Sequence, residues 1–404
     1  MIRLEKISTP DSIVEIELPA SKSISNRALI IQYLADSEIK IENLSKADDT
    51  VHLHGALQKG GDELWMGDAG TASRFSIAYA AVKEGGRIIK GSERLSERPM
   101  KPLIDALRSL GADIVCLEKE GYLPLQITGQ SLVGGEVEIE ASVSSQFISA
   151  LMLIGPQLTK GLSIKFLGKP TSLPYLTITK EIMKTCGATV QIGEDFIAIE
   201  PKKYMESIVQ VEPDWSAASY FFSAVALNPD LSVLLKGLTS EAIQGDASLV
   251  ELYGPLGVES VFNDKGLLLQ HSGKVAPQPS IDLVNNPDLA QTIAATYAGL
   301  NKEVELTGLH TLKVKETDRL SAMVSELKRM GVEAEATDDS LFVKSGNQLL
   351  PNQIISTYGD HRMAMSFAPL VFKTNLSLEN PAVVGKSFPD FFKEFSKLGV
   401  RTYA

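Results

Sequence analysis

A chain of 404 residues, 44% of them hydrophobic, carries enough apolar material for two ordinary globular cores and too much for disorder. Its 50 acidic against 39 basic side chains leave a net charge of -11, which excludes general binding to nucleic acid or to an acidic membrane surface; an anionic partner has to be met by a local concentration of Lys and Arg. No apolar run approaches the ~18 to 20 residues that span a bilayer, and Met1-Ile2-Arg3-Leu4-Glu5-Lys6 has neither the apolar stretch of a signal peptide nor the Arg/Ser richness of a transit peptide, so the chain reads as cytoplasmic.

After a short N-terminal strand, a pattern of strand, polar segment and helix begins at Ser21-Lys22-Ser23-Ile24-Ser25-Asn26-Arg27. It recurs at Gly67-Asp68-Ala69-Gly70-Thr71-Ala72-Ser73-Arg74 and at Ser96-Glu97-Arg98-Pro99, where the proline suits a first helical turn. Later copies stand at Ser142-Val143-Ser144-Ser145-Gln146, Thr171-Ser172-Leu173-Pro174-Tyr175 and Asn286-Pro287-Asp288. The last three are Lys313-Val314-Lys315-Glu316-Thr317-Asp318-Arg319, Tyr358-Gly359-Asp360-His361-Arg362 and Gly385-Lys386-Ser387-Phe388-Pro389. Apolar residues at helical spacing follow, as Leu320, Met323, Val324 and Leu327 do.

A second pattern closes the helices. Ala106-Leu107-Arg108-Ser109-Leu110-Gly111 runs into the strand-like Ala112-Asp113-Ile114-Val115, and the same ending returns at Gly187, Gly257, Gly331 and Gly399, more weakly at Gly60-Gly61. Each glycine fits a left-handed C-cap. The copies lie roughly 70 residues apart, too far for a solenoid or propeller blade, so each holds several strands and helices. The prediction is a repeated α/β unit.

Ser, Thr, Asp and Asn at helix starts are explained by capping. Lys and Arg there are not, because a cation opposes the macrodipole by a few tenths to ~1 kcal/mol. Lys22, Arg27, Arg74, Arg98, Lys315, Arg319, Arg362 and Lys386 repeat that opposition, and a bound phosphate or carboxylate reverses its sign. The set predicts a small polyanionic ligand. Cys116 and Cys186 read as buried packing residues, Trp65 and Trp215 as packing residues or hinge neighbours, and His52 and His54 lack the companions of a metal site.

Taken in order, Leu18-Pro19-Ala20-Ser21-Lys22-Ser23-Ile24-Ser25-Asn26-Arg27-Ala28, Gly67 to Ala72, Ser142 to Phe147, Val314 to Leu320 and Gly359 to Met365 resemble the signature segments of the 5-enolpyruvylshikimate-3-phosphate (EPSP) synthase family. The match runs on to Phe388-Pro389-Asp390 and so covers nearly the whole chain. The resemblance implies a cofactor-free, metal-free enzyme that joins shikimate 3-phosphate to phosphoenolpyruvate and releases phosphate. It implies an α/β fold of two similar domains, each of three βαβαββ repeats, with the active site in the interdomain cleft. Residues 20 to 212 would form one domain, residues 1 to 19 with 213 to 404 the other, and hinges would lie near 19–20 and 213–214. The domains would close on shikimate 3-phosphate. A monomer is expected, with no nucleic-acid or membrane partner.

By the same resemblance, Lys22, Gly70, Arg98, Gln146 and Lys386 would hold the phosphate side of phosphoenolpyruvate, while Arg319 and Arg362 would grip its carboxylate. Lys22, Ser23, Arg27, Ser144, Ser145, Gln146, Ser172, Tyr175, Asp288 and Lys315 would place shikimate 3-phosphate. Asp288 would deprotonate the 5-hydroxyl and Glu316 would move the proton at C3, with Lys22 assisting.

Four positions depart from the family pattern: Asp68 where Asn is frequent, Phe75 where Pro is, Thr311 for Asn and Ser387 for Thr. Two other readings stay open. A UDP-N-acetylglucosamine enolpyruvyl transferase shares the repeats but carries a reactive cysteine in a glycine-rich loop, unlike Ile114-Val115-Cys116-Leu117. A non-enzymatic phosphosugar-binding protein would lack the acid/base pair that Asp288 and Glu316 supply.

Overall fold

The computed structural model describes residues 1–140, 144–346 and 348–403; Ser142 and Val143 of the fourth polar segment lie outside the described residues. The chain divides into two compact units, Ala20–Val211 and Met1–Pro19 together with the residues from Glu212 onward. No described helix is long and apolar enough to cross a membrane.

In the unit Ala20–Val211, strand Glu63–Trp65, helix Gly70–Val82, strand Gly85–Lys90, helix Lys101–Ser109 and strands Asp113–Cys116 and Leu125–Gly129 form one βαβαββ repeat, interrupted by the short helix Glu93–Ser96. Its first two strands pair in parallel, as a helical crossover requires, and the last two add antiparallel. Gly135–Glu140, Leu162–Leu167, Val190–Ile192 and Phe196–Ile199 repeat the arrangement around helices Ser145–Ile154 and Leu173–Thr185. A two-stranded parallel sheet, Ile39–Glu42 with Ser207–Gln210, accompanies helices Lys22–Leu34 and Asp48–Lys59. Alternation selects the faces: Val137 and Ile139 are buried, whereas Glu136, Glu138 and Glu140 are not.

The other unit has three four-stranded sheets of the same order. One consists of Ser280–Asp282, Val304–Thr307, Leu341–Val343 and Ala334–Ala336, with helices Ala290–Gly299 and Arg319–Arg329. The N-terminal segment completes the remaining two: Val14–Ile16 pairs in parallel with Val233–Lys236, and Ile2–Lys6 pairs antiparallel with Leu376–Leu378 and Val400–Tyr403. Helices Trp215–Leu227 and His361–Phe367 are buried along nearly their whole length, and hydroxyls join them to Ala290–Gly299 through Ser219, Thr292 and Ser366 at 3.2 and 3.0 Å.

The glycines at the helix ends, Gly60, Gly111, Gly187, Gly257, Gly331 and Gly399, all have φ between 58° and 95°, the left-handed geometry expected of them. At Gly399 a side chain is doubly opposed, because a Cβ would sit 1.8 Å from the Ser8 carbonyl oxygen. Three local expectations are corrected. Trp65 is 52% exposed on an edge of its sheet and is not a packing residue. Pro99 lies between two helices, and Pro102 occupies the first turn of Lys101–Ser109. Lys386 ends the 3-10 segment Pro381–Lys386 and does not open an α-helix.

Candidate active site

In the unit Ala20–Val211, the first turn of helix Lys22–Leu34 presents Lys22, whose Nζ lies 2.9 Å from Asp49 Oδ2 on helix Asp48–Lys59. One turn on, Arg27 is fully buried. Its Nε donates to Thr179 Oγ1 at 2.7 Å, Nη1 to the Ser23 carbonyl at 2.8 Å, and Nη2 to Ser149 Oγ and the Tyr175 carbonyl at 3.2 and 3.3 Å. The guanidinium also lies over the rings of Phe75 and Tyr175. Every acceptor is neutral, and burial lowers its pKa to about 10.

Gly70 opens helix Gly70–Val82 with Arg98 and Arg74 against it: a Cβ there would lie 2.5 Å from Arg98 Nη1 and 2.9 Å from Arg74 Nη1. Arg74 Nη1 donates to Gln146 Oε1 at 2.5 Å and its guanidinium covers Phe147. Arg98 is 8% exposed, its Nε has no hydrogen-bond acceptor, and no carboxylate lies within 4 Å of it among the described residues. Asp68, the departure that set a carboxylate beside this helix start, accepts the Ser92 hydroxyl.

Ser144 caps helix Ser145–Ile154 by accepting from the Gln146 N–H at 3.3 Å, and Ser145 is buried beside it. Ser172 precedes helix Leu173–Thr185 in a left-handed conformation, φ 56°, and its side chain makes no cap. Tyr175 follows in the first turn. Thr171 Oγ1 and Ser21 Oγ are buried with no partner. The unit thus places Lys22, Arg27, Gly70, Arg98 and Gln146, with Ser23, Ser144, Ser145, Ser172 and Tyr175, at or near helix starts. Among the described residues, two of its buried cations, Arg27 and Arg98, face no carboxylate.

The other unit is built differently. Arg319, buried in the first turn of its helix, is surrounded by carboxylates: Nε to Asp360 Oδ2 at 2.7 Å, Nη1 to Asp288 Oδ1 at 2.9 Å and Nη2 to Glu316 Oε2 at 3.0 Å. Burial alone would lower its pKa; Asp360, Glu316 and Asp288 outweigh that and hold it above the ordinary range. Asp360 also caps helix His361–Phe367, accepting from the Arg362 N–H at 2.9 Å, and Asp318 caps the Arg319 helix; a cap of this kind stabilises by about 1 kcal/mol. Arg362 Nη2 lies 2.9 Å from Asp288 Oδ2, Lys315 Nζ 3.9 Å from Asp288 Oδ1 and Lys386 Nζ 3.1 Å from Glu316 Oε1. Among the described residues, Lys315, Arg319, Arg362 and Lys386 meet the carboxylates of Asp288, Glu316 and Asp360.

Asp49, Asp360 and Asp246 are polar anchors that the motifs did not single out as site residues. Asp246 is buried, accepts from Ser216 and from Asn286 Nδ2 at 3.0 Å, and so ties down the turn that carries Asp288. The Asp in Gly359-Asp360-His361-Arg362 was visible in sequence, but nothing local to Asp49 or Asp246 announces a partner 27 or 40 residues away. Among the described residues, no group of three or more His, Cys, Asp and Glu is arranged to hold a metal ion.

The fold is shared with solved enolpyruvyl transferases. An EPSP synthase from Acinetobacter baumannii matches 100% of both chains with a TM-score of 0.80 at 20% identity. An enolpyruvyl transferase from Streptomyces tendae gives 0.78 at 15% identity, over 100% of this chain and 98% of that one. The fold is therefore that of the enolpyruvyl transferases.

Sequence narrows the class. The family described as EPSP synthase (3-phosphoshikimate 1-carboxyvinyltransferase) matches residues 11–64 and 53–395. A 3-phosphoshikimate 1-carboxyvinyltransferase from Bacteroides fragilis is 40% identical over 398 residues, 97% of each chain, and one from Photobacterium profundum is 35% identical over 95% of this chain and 96% of its own. The chain belongs to the EPSP synthase family.

Proposed function

We propose that the chain transfers the enolpyruvyl group of phosphoenolpyruvate to the 5-hydroxyl of shikimate 3-phosphate and releases phosphate, a step toward chorismate and the aromatic amino acids. The observation that carries this reading is the pair of buried guanidinium groups, Arg27 and Arg98, that face no carboxylate. A buried cation without a counterion is costly, and substrate phosphates supply the missing charge.

In the addition step, Asp288 takes the proton of the 5-hydroxyl as its oxygen bonds to C2 of the enol, and Glu316 delivers a proton to C3. In the elimination step, Glu316 recovers a proton from the new methyl group, the C2–O bond to phosphate breaks, the departing phosphate takes a proton from Lys22, and Asp288 returns the hydroxyl proton to solvent, from which Lys22 is reprotonated. The two steps balance without a redox partner. Lys22, Gly70, Arg98, Gln146 and Lys386 serve the phosphate of phosphoenolpyruvate, and Arg319 and Arg362 its carboxylate. Ser23, Arg27, Ser144, Ser145, Gln146, Ser172, Tyr175 and Lys315 hold shikimate 3-phosphate. Fixed cations suit this chemistry because two anions must be brought to bonding distance.

We place the enzyme in the cytoplasm as a monomer. The test is phosphate release by the purified chain given phosphoenolpyruvate with shikimate 3-phosphate, and separately with UDP-N-acetylglucosamine. Release with the first acceptor alone is expected; release with the second alone, or with neither, overturns the reading.

A further inference from the structure

Glu326 is fully buried on helix Arg319–Arg329, two turns beyond Arg319 and on the same face. Its Oε1 accepts the Tyr358 hydroxyl at 2.8 Å, and its Oε2 accepts the Ser356 main-chain N–H and Arg329 Nε, both at 3.1 Å. Two of these donors belong to the loop between strand Gln353–Ile355 and helix His361–Phe367. That loop is strained. Tyr358 has φ 54° and Gly359 φ 68°, and the Asp360 N–H closes the turn on the Thr357 carbonyl at 2.8 Å.

A left-handed conformation is opposed by a bulky side chain and persists where the surroundings hold it. The Tyr358 side chain is 42% exposed, so packing of the ring is a weak hold, and the hydroxyl bond to Glu326 is the fixed point. Burial, with the Glu326 carboxylate adding, raises the phenol's pKa and keeps it a donor. At the end of the same turn, Asp360 receives Arg319 Nε and the Arg362 N–H. One helix therefore grips the turn twice, through Arg319 and through Glu326.

We infer that Glu326 and Tyr358 form a latch that fixes the Thr357–Asp360 turn and thereby orients Arg319 and Arg362 toward a substrate carboxylate. Both are positioning residues, acting through the turn that holds Asp360. The inference rests on the reading that these arginines bind phosphoenolpyruvate.

The test uses the full chain with Tyr358→Phe, Glu326→Gln and the double variant, varying each substrate separately and recording thermal midpoints alongside. Either single change should raise KM for phosphoenolpyruvate about 5- to 20-fold and leave KM for shikimate 3-phosphate within about twofold. The double variant should raise KM by less than the product of the two single effects, since both changes weaken the same Tyr358–Glu326 bond. A lowered midpoint with neither KM altered, an equal rise for both substrates, or additive effects would each overturn the latch. Tyr358→Phe keeps the ring and decides the question by itself if Glu326→Gln does not fold. A parent without phosphate release would sink the functional reading as well, whereas an active parent whose variants show no split sinks the latch alone.

Discussion

Arg362 holds Asp288 in two places: Nη2 is 2.9 Å from Oδ2, and Nη1 donates to the main-chain carbonyl at 3.1 Å. Arg319 takes the remaining carboxylate oxygen, Oδ1, at 2.9 Å. Asp288 thus lies between two guanidinium forks, and a substrate carboxylate that approaches either arginine has to share it with Asp288.

That sharing separates binding from chemistry in two substitutions. Asp288→Asn and Glu316→Gln should each lower kcat by about 10² to 10⁴-fold, because both keep hydrogen-bonding volume but abolish proton transfer. Asp288→Asn also removes the anion that competes for Arg319 and Arg362, so KM for phosphoenolpyruvate should hold or fall. Steady-state kinetics checks this, with circular dichroism to establish folding; turnover within a few-fold of the parent would remove that residue from the mechanism.

Gly70→Ala tests the packing of guanidinium groups against a helix start. The new methyl would come within 2.5 Å of Arg98 Nη1 and 2.8 Å of its Cζ. The far end of a flexible side chain gives way more readily than backbone does, so the thermal midpoint should change little while Arg98 leaves its place. KM for phosphoenolpyruvate should rise about tenfold. An unchanged KM would contradict the steric account.

Asp246 offers a test by pH. Burial pushes its carboxyl above the ordinary aspartate range, against the hydrogen bonds from Ser216 and Asn286 and with the charge of Asp288 adding to the rise. The folded chain then holds this proton more tightly than the unfolded chain, so stability falls as pH rises from the ordinary aspartate value through the raised one. Asp246→Asn lacks that penalty. Denaturant midpoints at about pH 4 and pH 7 should show the variant gaining on the parent toward neutrality; a constant difference would refute a raised carboxyl.

The two thiols should separate cleanly. Cys186 is buried and its thiol is pushed up to about 12, whereas Cys116 is only half-buried, with its sulfur accepting the Gly121 N–H at 3.3 Å. A thiol reagent at pH 8 should label about one cysteine per native chain within minutes and both in denaturant. Two rapid equivalents in the native chain would show that Cys186 is reached.

The sequence by itself was enough for the α/β repeats and the left-handed helix ends, because both are local: a glycine after an amphipathic helix meets its backbone requirement within a few residues. It also marked the polar segments that open the helices of Lys22, Gly70, Arg319 and His361. Charge compensation was not local. Cations at helix starts implied an absent anion, yet Asp49 reaches Lys22 across 27 residues, Asp360 reaches Arg319 across 41 and Asp288 reaches Arg362 across 74. Spacing within a helix fixes which side chains share a face, whereas which carboxylate comes within 3 Å of a given guanidinium depends on how separate helices pack. Only the tertiary structure decided that Arg319 is enclosed by Asp288, Glu316 and Asp360, and that Arg27 and Arg98 are buried with no carboxylate against them among the described residues.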